Sequence, residues 1–284
     1  MLDGFTSTHP PLVFQNHLRH QITDQTFGLA CDIASNVHNV QTQEWSETNT
    51  PMRVFAMVYA LAIERVLAGT HWKRSDRKLL EIVLLHKYQM ELGPDKSICH
   101  TQRVVLGVMI QHRWTHILVD VSPSQYNRLY NMGHLKGIDV HIWQRAIVGA
   151  SSVAHAILAL ENVSGTTLFM PTIVEDIKYG IDLLLEVHEQ EGACISIKTD
   201  TGGDTRFWIE GDDPPTQEDI LAQWIAIQNG VQKFRCTSNR SWKSVLLLVG
   251  KKNGDCVNTR HEVIPHHWAI TLVESVYEPI QSTV

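Results

Sequence analysis

The sequence predicts a mixed α/β protein with a helical region over residues 1–143 and a domain of alternating helices and strands over residues 144–284. In the first half, long segments repeat apolar residues at helical spacing. In the second half, several apolar runs are short and bounded by turn residues, which is typical of strands. With 284 residues and 43% hydrophobic content, the chain is long enough to bury a full core.

Three helices are predicted in the N-terminal region, after about 50 residues rich in Thr, Gln, Asn and His that read as irregular. The first is "TPMRVFAMVYALAIERVLAG", which has Pro51 at its start and Gly69 at its end. The second is "SDRKLLEIVLLHKYQMELGP", and the third lies in "CHTQRVVLGVMIQHRW". Their apolar residues nearly encircle each helix, so we expect buried helices.

Shorter elements are predicted where the pattern changes near residue 115. "THILVDVSP" and "IDVHIW" have the short apolar runs of extended segments. "SQYNRLYNMGHLKG" has the residues of a helix that ends at a glycine, and "QRAIVGASSVAHAILALENVSG" forms an Ala-rich helix.

The rest of the chain predicts three strands, a helix and a fourth strand. The first strands are "TTLFMPT", "IDLLLEV" and "CISIKTD", of which the last two are joined by the turn "HEQEG". A loop, "GGDTRFWIEGDDPPTQ", leads to the amphipathic helix "EDILAQWIAIQNGVQKFR" and the buried strand "SVLLLVGKK". The order from about residue 144 is therefore helix, three strands, helix, strand.

Composition excludes several classes of function. No apolar run reaches the roughly 18 residues of a membrane helix, and the N-terminus lacks a signal-peptide layout, so we expect no membrane association and a cytoplasmic location. The five scattered cysteines indicate neither disulfides nor structural zinc. No Walker or Rossmann glycine motif is present.

Charge is distributed unevenly around a net charge of -6. Residues 1–70 and 146–220 have net charges of -3 and -11, whereas residues 71–145 and 221–284 have +5 and +3. The acidic block has two interpretations. It is a solvated acidic face, or it is a cation site flanked by phosphate-binding surfaces.

Two opposite charges are expected to meet in the acidic hairpin "IDLLLEVHEQEGACISIK". Antiparallel pairing of its strands brings Asp182, near the start of the first, to the same end as Lys198, near the end of the second. Ser196 and Lys198 share one strand face, and a lysine inside an apolar alternation needs a partner. Asp182 is the natural one.

The hairpin and its element order resemble the PD-(D/E)xK restriction-endonuclease-like nuclease superfamily over about residues 144–252. The likeness falls on "EDIKYGIDLLL", on "CISIK", and on the helix and strand that follow. It implies an αβββαβ core in which Asp182 binds Mg²⁺ and Lys198 activates water and stabilises phosphate charge. Ser196 completes the candidate catalytic set, at a position where the family has an acidic residue.

Further metal ligands are candidates on the same resemblance. The family's helix usually supplies a glutamate, and the corresponding helix here offers Glu161, with His155 as an alternative. Glu175 and Asp176 precede Asp182 on the approach to the strand and could add oxygen ligands, cap a turn or lie in solvent.

Two basic clusters are candidates for nucleic-acid contact, with solvated surface as the alternative in each case. The first lies at the start of the second predicted helix, and the second lies where the last helix gives way to the last strand. Their members are Lys73, Arg74, Arg77 and Lys78, and Lys233, Arg235, Arg240 and Lys243.

Together these features predict a Mg²⁺-dependent nuclease acting on DNA, with enzymatic activity left open because Ser196 replaces an acid. The alternative is a catalytically degenerate nuclease-fold protein that binds nucleic acid or protein in a DNA-processing or defence assembly. Protein partners or a homo-oligomer are compatible with either. A third possibility is an unrelated α/β fold in which Asp182 and Lys198 form a structural salt bridge.

Overall fold

The computed structural model describes seven ranges of the chain and six single positions, and divides the chain between Ala150 and Ser151 into two compact units. Each unit is treated by itself below. The six positions are Leu79, Ile82, Val83, Leu85, His86 and Gln89. The ranges are residues 98–121, 123–131, 139–188, 191–200, 203–237, 241–250 and 266–277.

The N-terminal unit is helical throughout its described secondary structure. It contains α1 (Ile98–Leu118), α2 (Pro123–Asn131) and the first half of α3 (Val140–Glu161). The single described positions from residue 79 to residue 89 are also helical, in agreement with the helix predicted there. The first predicted helix lies outside the described residues.

Aromatic side chains form the centre of the N-terminal unit. Trp114 and Trp143 are fully buried, and their rings meet edge to face with centroids 4.9 Å apart. Trp143 Nε1 donates a 2.8 Å hydrogen bond to the carbonyl oxygen of Leu129, which ties α3 to α2.

Both extended segments predicted in this unit are wrong, because each belongs to a helix. Thr115–Leu118 continues α1, where the Thr115 hydroxyl donates back to the Gln111 carbonyl oxygen at 2.9 Å. "IDVHIW" contains the start of α3, because Asp139 Oδ1 accepts hydrogen bonds from the His141 and Ile142 backbone at 2.8 and 3.3 Å. Local capping and burial outweigh the β-branched composition of both segments.

The C-terminal unit is built on a five-stranded mixed sheet with the order β1-β2-β3-β5-β4. β3 and β5 are parallel, and the other pairs are antiparallel. The strands are β1 (Thr166–Phe169), β2 (Leu183–Val187), β3 (Glu191–Asp200), β4 (Arg206–Ile209) and β5 (Trp242–Gly250). The mixed α/β class is confirmed, whereas the predicted order of helix, three strands, helix and strand is interrupted by one further helix and one further strand.

Three elements of this unit were not predicted. Helix α4 (Ile173–Tyr179) precedes β2, β4 forms a sheet edge inside the predicted loop, and α6 (His267–Tyr277) follows β5. α4 begins at a capping box in which Thr172 and Glu175 exchange hydrogen bonds, and ends at Gly180 with φ of 68°.

Helix α5 (Glu218–Arg235) covers one face of the sheet. Its buried side chains pack with strand residues such as Cys194 and Leu246, and with Tyr179 of α4. Gly230 lets α5 approach the Tyr179 carbonyl oxygen so closely that a Cβ atom would overlap it. The buried α5 residues are Ile220, Trp224, Ile227, Gly230, Val231 and Phe234.

The opposite face of the sheet contacts α3 and α6. Ser152 of α3 and Thr199 of β3 share a 2.7 Å hydrogen bond between their hydroxyls. Lys243 of β5 reaches the end of α6 and donates to the carbonyl oxygens of Ser275 and Val276 at 3.0 and 2.8 Å. Within the described ranges, no helix has the length and hydropathy that a bilayer crossing requires.

Candidate functional site

Asp182 lies at the entry to β2, directly before the first paired residue of that strand. Its backbone N–H donates a 2.9 Å hydrogen bond to the carbonyl oxygen of Ile195, which extends the β2–β3 ladder by one position. The side chain is buried. A carboxylate taken out of water in this way needs donors around it.

Residues of β3 supply these donors, and all of them reach the same carboxylate oxygen. Asp182 Oδ2 accepts from the backbone N–H of Ile197 at 2.7 Å, from the Ser196 hydroxyl at 3.3 Å and from Lys198 Nζ at 3.4 Å. The backbone bond is the shortest of the three. Through these three contacts with one oxygen, the Asp182 side chain connects the start of β2 to β3.

Lys198 is the solvent-facing member of this cluster. Its side chain is 44% exposed, whereas that of Asp182 is 7% exposed. The sheet register aligns Lys198 with Leu248 of β5, and Leu248 with Arg206 of β4. Residues directly opposite one another in adjacent strands share a face, so the Lys198 and Arg206 side chains emerge on the same side of the sheet, two strands apart.

Arg206 and its neighbour Trp208 were missed by sequence reasoning because "RFWI" was assigned to a loop. The Arg206 side chain is 46% exposed, forms a 3.3 Å ion pair with Asp200 and lies with its guanidinium carbon 5.6 Å from the centre of the Trp208 ring. The alternation of Arg206, Phe207, Trp208 and Ile209 was the available signal for an edge strand.

Of the carboxylates proposed as additional metal ligands, Glu175 has a described structural role. Glu175 Oε2 accepts from the Thr172 backbone and hydroxyl at 2.8 and 2.9 Å in the α4 capping box. Asp176 is a buried residue of α4, and Glu161 is exposed at the end of α3. Across the described ranges, no three His, Cys, Asp or Glu side chains are grouped so that they could hold a metal ion.

The donor set therefore does not fit a Mg²⁺ centre. Mg²⁺ takes octahedral oxygen coordination from carboxylates, waters and substrate phosphates. Here Asp182 commits Oδ2 to three donors, and Ser196 supplies a hydroxyl that itself donates to that oxygen. We assign no chemical step to a metal at this position.

The basic positions have separate environments. Lys73, Arg74, Arg77, Lys78 and Arg240 lie outside the described residues. Lys243 is buried, and its ammonium caps α6 through the two carbonyl contacts given above. Arg235 donates to Glu210 and to the Trp242 carbonyl oxygen, whereas Lys233 is exposed. Among the described members of the second basic cluster, Lys233 faces solvent, whereas Arg235 and Lys243 are hydrogen-bonded to other residues of the protein.

Glu210 forms a second polar cluster that joins the end of β4 to α5 and β5. It pairs with Arg235, and its Oε2 accepts from the backbone and hydroxyl of Ser244 at 3.1 and 3.3 Å. Burial acts to raise the pKa of Glu210, but the hydrogen bonds and charge of Arg235, together with Ser244, outweigh burial and hold that pKa below its ordinary value. This cluster stabilises the sheet edge.

A cavity of about 690 Å³ lies in the N-terminal unit between the helix that contains Gln89, α1 and α3. Gly107 and Gly149 leave space along its wall, and Arg145 and Asp139 are among its polar lining residues. None of the predicted site residues lines it.

These features define the class of protein: a mixed α/β protein with a buried carboxylate and a half-exposed lysine paired across the first hairpin of its sheet. The chain matches no protein-family model, no curated protein and no solved structure.

Proposed function

We propose that this protein is a nuclease-fold, non-cleaving subunit that binds single-stranded DNA at a surface formed by Lys198, Arg206 and Trp208, here called the Lys198 surface. The non-cleaving assignment rests on one observation: Asp182 Oδ2 accepts from three donors of β3. A carboxylate engaged in this way stabilises the hairpin, and its Oδ2 is already committed to donors of the protein.

The nuclease-like part of the proposal rests on the sheet. β1, β2 and β3 form an antiparallel meander, and β5 follows α5 and returns parallel to β3. The resemblance to the PD-(D/E)xK superfamily implies an αβββαβ order, with an aspartate before one strand and a lysine on the next; this unit has α4 between β1 and β2 and β4 between β3 and α5 in addition. Asp182 and Lys198 occupy those two positions.

The DNA-binding part rests on the chemistry of the Lys198 surface. Two half-exposed cations on one sheet face can contact successive phosphates. Trp208 is partly buried against the core beneath α5, and its remaining exposed part supplies an aromatic edge to this surface. Each cation already has a carboxylate partner, Asp182 or Asp200. We therefore expect modest affinity that falls steeply with salt, because phosphate must compete with those carboxylates.

Fluorescence anisotropy with a labelled single-stranded oligonucleotide tests this proposal. Lys198→Ala and Arg206→Ala should each weaken binding and lower the slope of log K against log salt by about 0.7, the value for one phosphate contact on a single strand. Arg145→Ala is the matched control, because it removes an exposed arginine from the N-terminal unit. Absence of binding by the unmodified protein, or equal losses in all three variants, would exclude the Lys198 surface as a DNA site.

A second candidate function is metal-dependent cleavage of DNA, favoured by the 3.4 Å approach of Lys198 Nζ to Asp182. Incubation of the purified protein with plasmid and single-stranded DNA in Mg²⁺ or Mn²⁺, against EDTA, separates the two functions. Metal-dependent cleavage that Asp182→Asn abolishes would replace the non-cleaving assignment. Cleavage that persists in this variant would indicate a contaminant or a different site.

A further inference from the structure

The outward face of α5 has an apolar residue at its centre. The side chain of Ile225 is 48% exposed there and is one of the exposed large hydrophobic residues of the described chain. It is flanked by small or uncharged exposed residues that lie on the same side of the helix, opposite the buried ones. These flanking residues are Ala222, Ala226 and Asn229.

The two ends of this face have opposite charges. Glu218 and Asp219 are exposed in the first turn of α5, and Lys233 is exposed in the last. Arg235, the other basic residue of the last turn, is held by Glu210. Neither Glu218 nor Lys233 has an ion-pair partner among the described residues, so both charges are available to another molecule.

Two copies of this face are complementary to each other when they are placed antiparallel. When a second α5 is laid antiparallel across the first, counting inward from both ends brings Glu218 opposite Lys233 and Ala222 opposite Asn229. Ile225 then meets Ala226 at the centre. The two-fold axis falls between positions 225 and 226, so each contact occurs twice, as an isologous interface requires.

We propose that the outward face of α5, from Glu218 to Lys233, is a homodimer interface on which a second copy of this chain packs its own α5 antiparallel. Apolar contact at Ile225 supplies the centre, and two symmetric Glu218–Lys233 pairs set the direction. A parallel arrangement would instead place Glu218 against Glu218 and Lys233 against Lys233. The dimer does not depend on what the Lys198 surface binds.

The size of the interface predicts a weak, reversible dimer. At a rise of about 1.5 Å per residue, an 18-residue helix is about 27 Å long. One such helix on each side gives a contact at or below the roughly 1,200 Å² of transient complexes. Self-association should therefore depend on protein concentration and, through its ion pairs, on salt.

Sedimentation equilibrium of the full chain at low salt, with charge-reversed variants, tests the proposal. Glu218→Lys and Lys233→Glu each convert both symmetric pairs into repulsions, and each alone should weaken dimerisation by about tenfold or more. An equimolar mixture of the two should dimerise as the unmodified chain does, because every pair then joins a lysine to a glutamate. Ile225→Asp should abolish dimerisation in every combination.

Asp213→Lys and Glu274→Lys are matched controls, since each reverses an exposed charge outside α5. Both should leave the dimerisation constant unchanged, and circular dichroism establishes that every variant is folded. A strictly monomeric unmodified chain, or a mixture that dimerises no better than its components, overturns the proposal. Loss of DNA binding in Lys233→Glu with no change in molecular mass would assign this face to nucleic acid instead.

Discussion

Asp182 Oδ2 lies 2.7 Å from the backbone nitrogen of Ile197, closer than it lies to Lys198 Nζ, at 3.4 Å. The shorter contact of the carboxylate is therefore with the main chain of β3, and the longer one is with the lysine. Because Asp182 is buried and Lys198 is half exposed, the two residues differ in how much they contribute to stability.

Removal of Asp182 should cost far more stability than removal of its lysine partner. Asp182→Ala leaves the Ile197 N–H and the Ser196 hydroxyl without their acceptor in a buried position, at a cost of about 2 to 4 kcal/mol. Lys198→Ala removes a half-exposed ion pair worth less than about 1 kcal/mol. Urea unfolding measures both values, and Asp182→Asn, which keeps an acceptor oxygen, should fall between them. Equal costs for the two alanine variants would contradict this ranking.

A second carboxylate beside Asp182 should create a cation site where the present residues do not fit one. Ser196→Asp should lower the melting temperature in EDTA, because two adjacent carboxylates repel each other in a buried position. Mg²⁺ or Mn²⁺ should restore it, with a gain of about 2.7 kcal/mol at a concentration 100 times the dissociation constant. Differential scanning fluorimetry with and without metal measures the effect. Ser196→Asn is the uncharged control, and an equal response of that variant to metal would contradict the interpretation.

The close approach of α5 to α4 makes Gly230 intolerant of any side chain. Gly230→Ala should destabilise the C-terminal unit by about 1 to 3 kcal/mol or more, because the new methyl group overlaps the Tyr179 carbonyl oxygen, which belongs to the backbone. Gly107→Ala provides a contrast, since a Cβ atom there makes only an ordinary 3.9 Å contact with Gln89. That change should stabilise α1 by about 0.5 to 1 kcal/mol. Chemical denaturation of both variants shows whether the change in the free energy of unfolding has opposite signs.

His86 should make the stability of the N-terminal unit pH-dependent. It is fully buried, its ring lies 5.2 Å from that of Trp143, and burial lowers its pKa from 6.5 to about 4. The folded unit therefore holds a neutral imidazole, while the unfolded chain binds a proton below about pH 6.5. The contribution of His86 to the free energy of unfolding is therefore greatest above pH 6.5. It decreases by about 3 kcal/mol in total as the pH falls towards 4.

His86→Leu should remove this slope while it leaves the acid sensitivity of the carboxylates in place. Tryptophan fluorescence during urea unfolding at pH 7.5, 5.5 and 4.5 compares the two proteins, with Trp114 and Trp143 as probes of this unit. An unchanged slope in the variant would show that His86 is not responsible.

Lys243 should behave as a structural residue and Lys233 as a surface residue, although both belong to the same basic cluster in the sequence. Lys243→Met removes the donor to the last carbonyl oxygens of α6 and should cost about 1 to 3 kcal/mol. Lys233→Met should cost less than about 0.5 kcal/mol. Thermal unfolding at low protein concentration compares the pair, and a reversal of the order would contradict the burial of Lys243.

Sequence reasoning succeeded where the deciding interactions are local or periodic. The apolar spacing of "EDILAQWIAIQNGVQKFR" predicted α5 with both ends correct, and the continuous apolar run "SVLLLVG" predicted the buried strand β5. It failed where a distant strand decides, and where it overlooked a local helix cap. Residues 206–209 form a strand because β5 lies beside them, and residues 140–143 are helical because Asp139 caps them.

The candidate site shows the same division. Alternation along "CISIK" was enough to predict that Ser196 and Lys198 share a face. Nothing in the local pattern indicates that three donors converge on a single oxygen of Asp182, because that convergence depends on the register between β2 and β3. The use of Glu175 in a helix cap did have a local signal, the spacing of Thr172 and Glu175, which sequence reasoning did not use.

The sequence by itself determined the mixed α/β class, α5, the strands β2, β3 and β5, and the identity of Asp182 and Lys198 as a pair, because hydrophobic periodicity and strand alternation are properties of neighbouring residues. Only the tertiary structure decided how each charged group is used. Arg206 shares a sheet face with Lys198, Lys243 is buried under α6, and Lys233 and Ile225 remain on the surface. Burial and strand register arise from contacts between distant segments, and these two properties decide which partners surround each charged group.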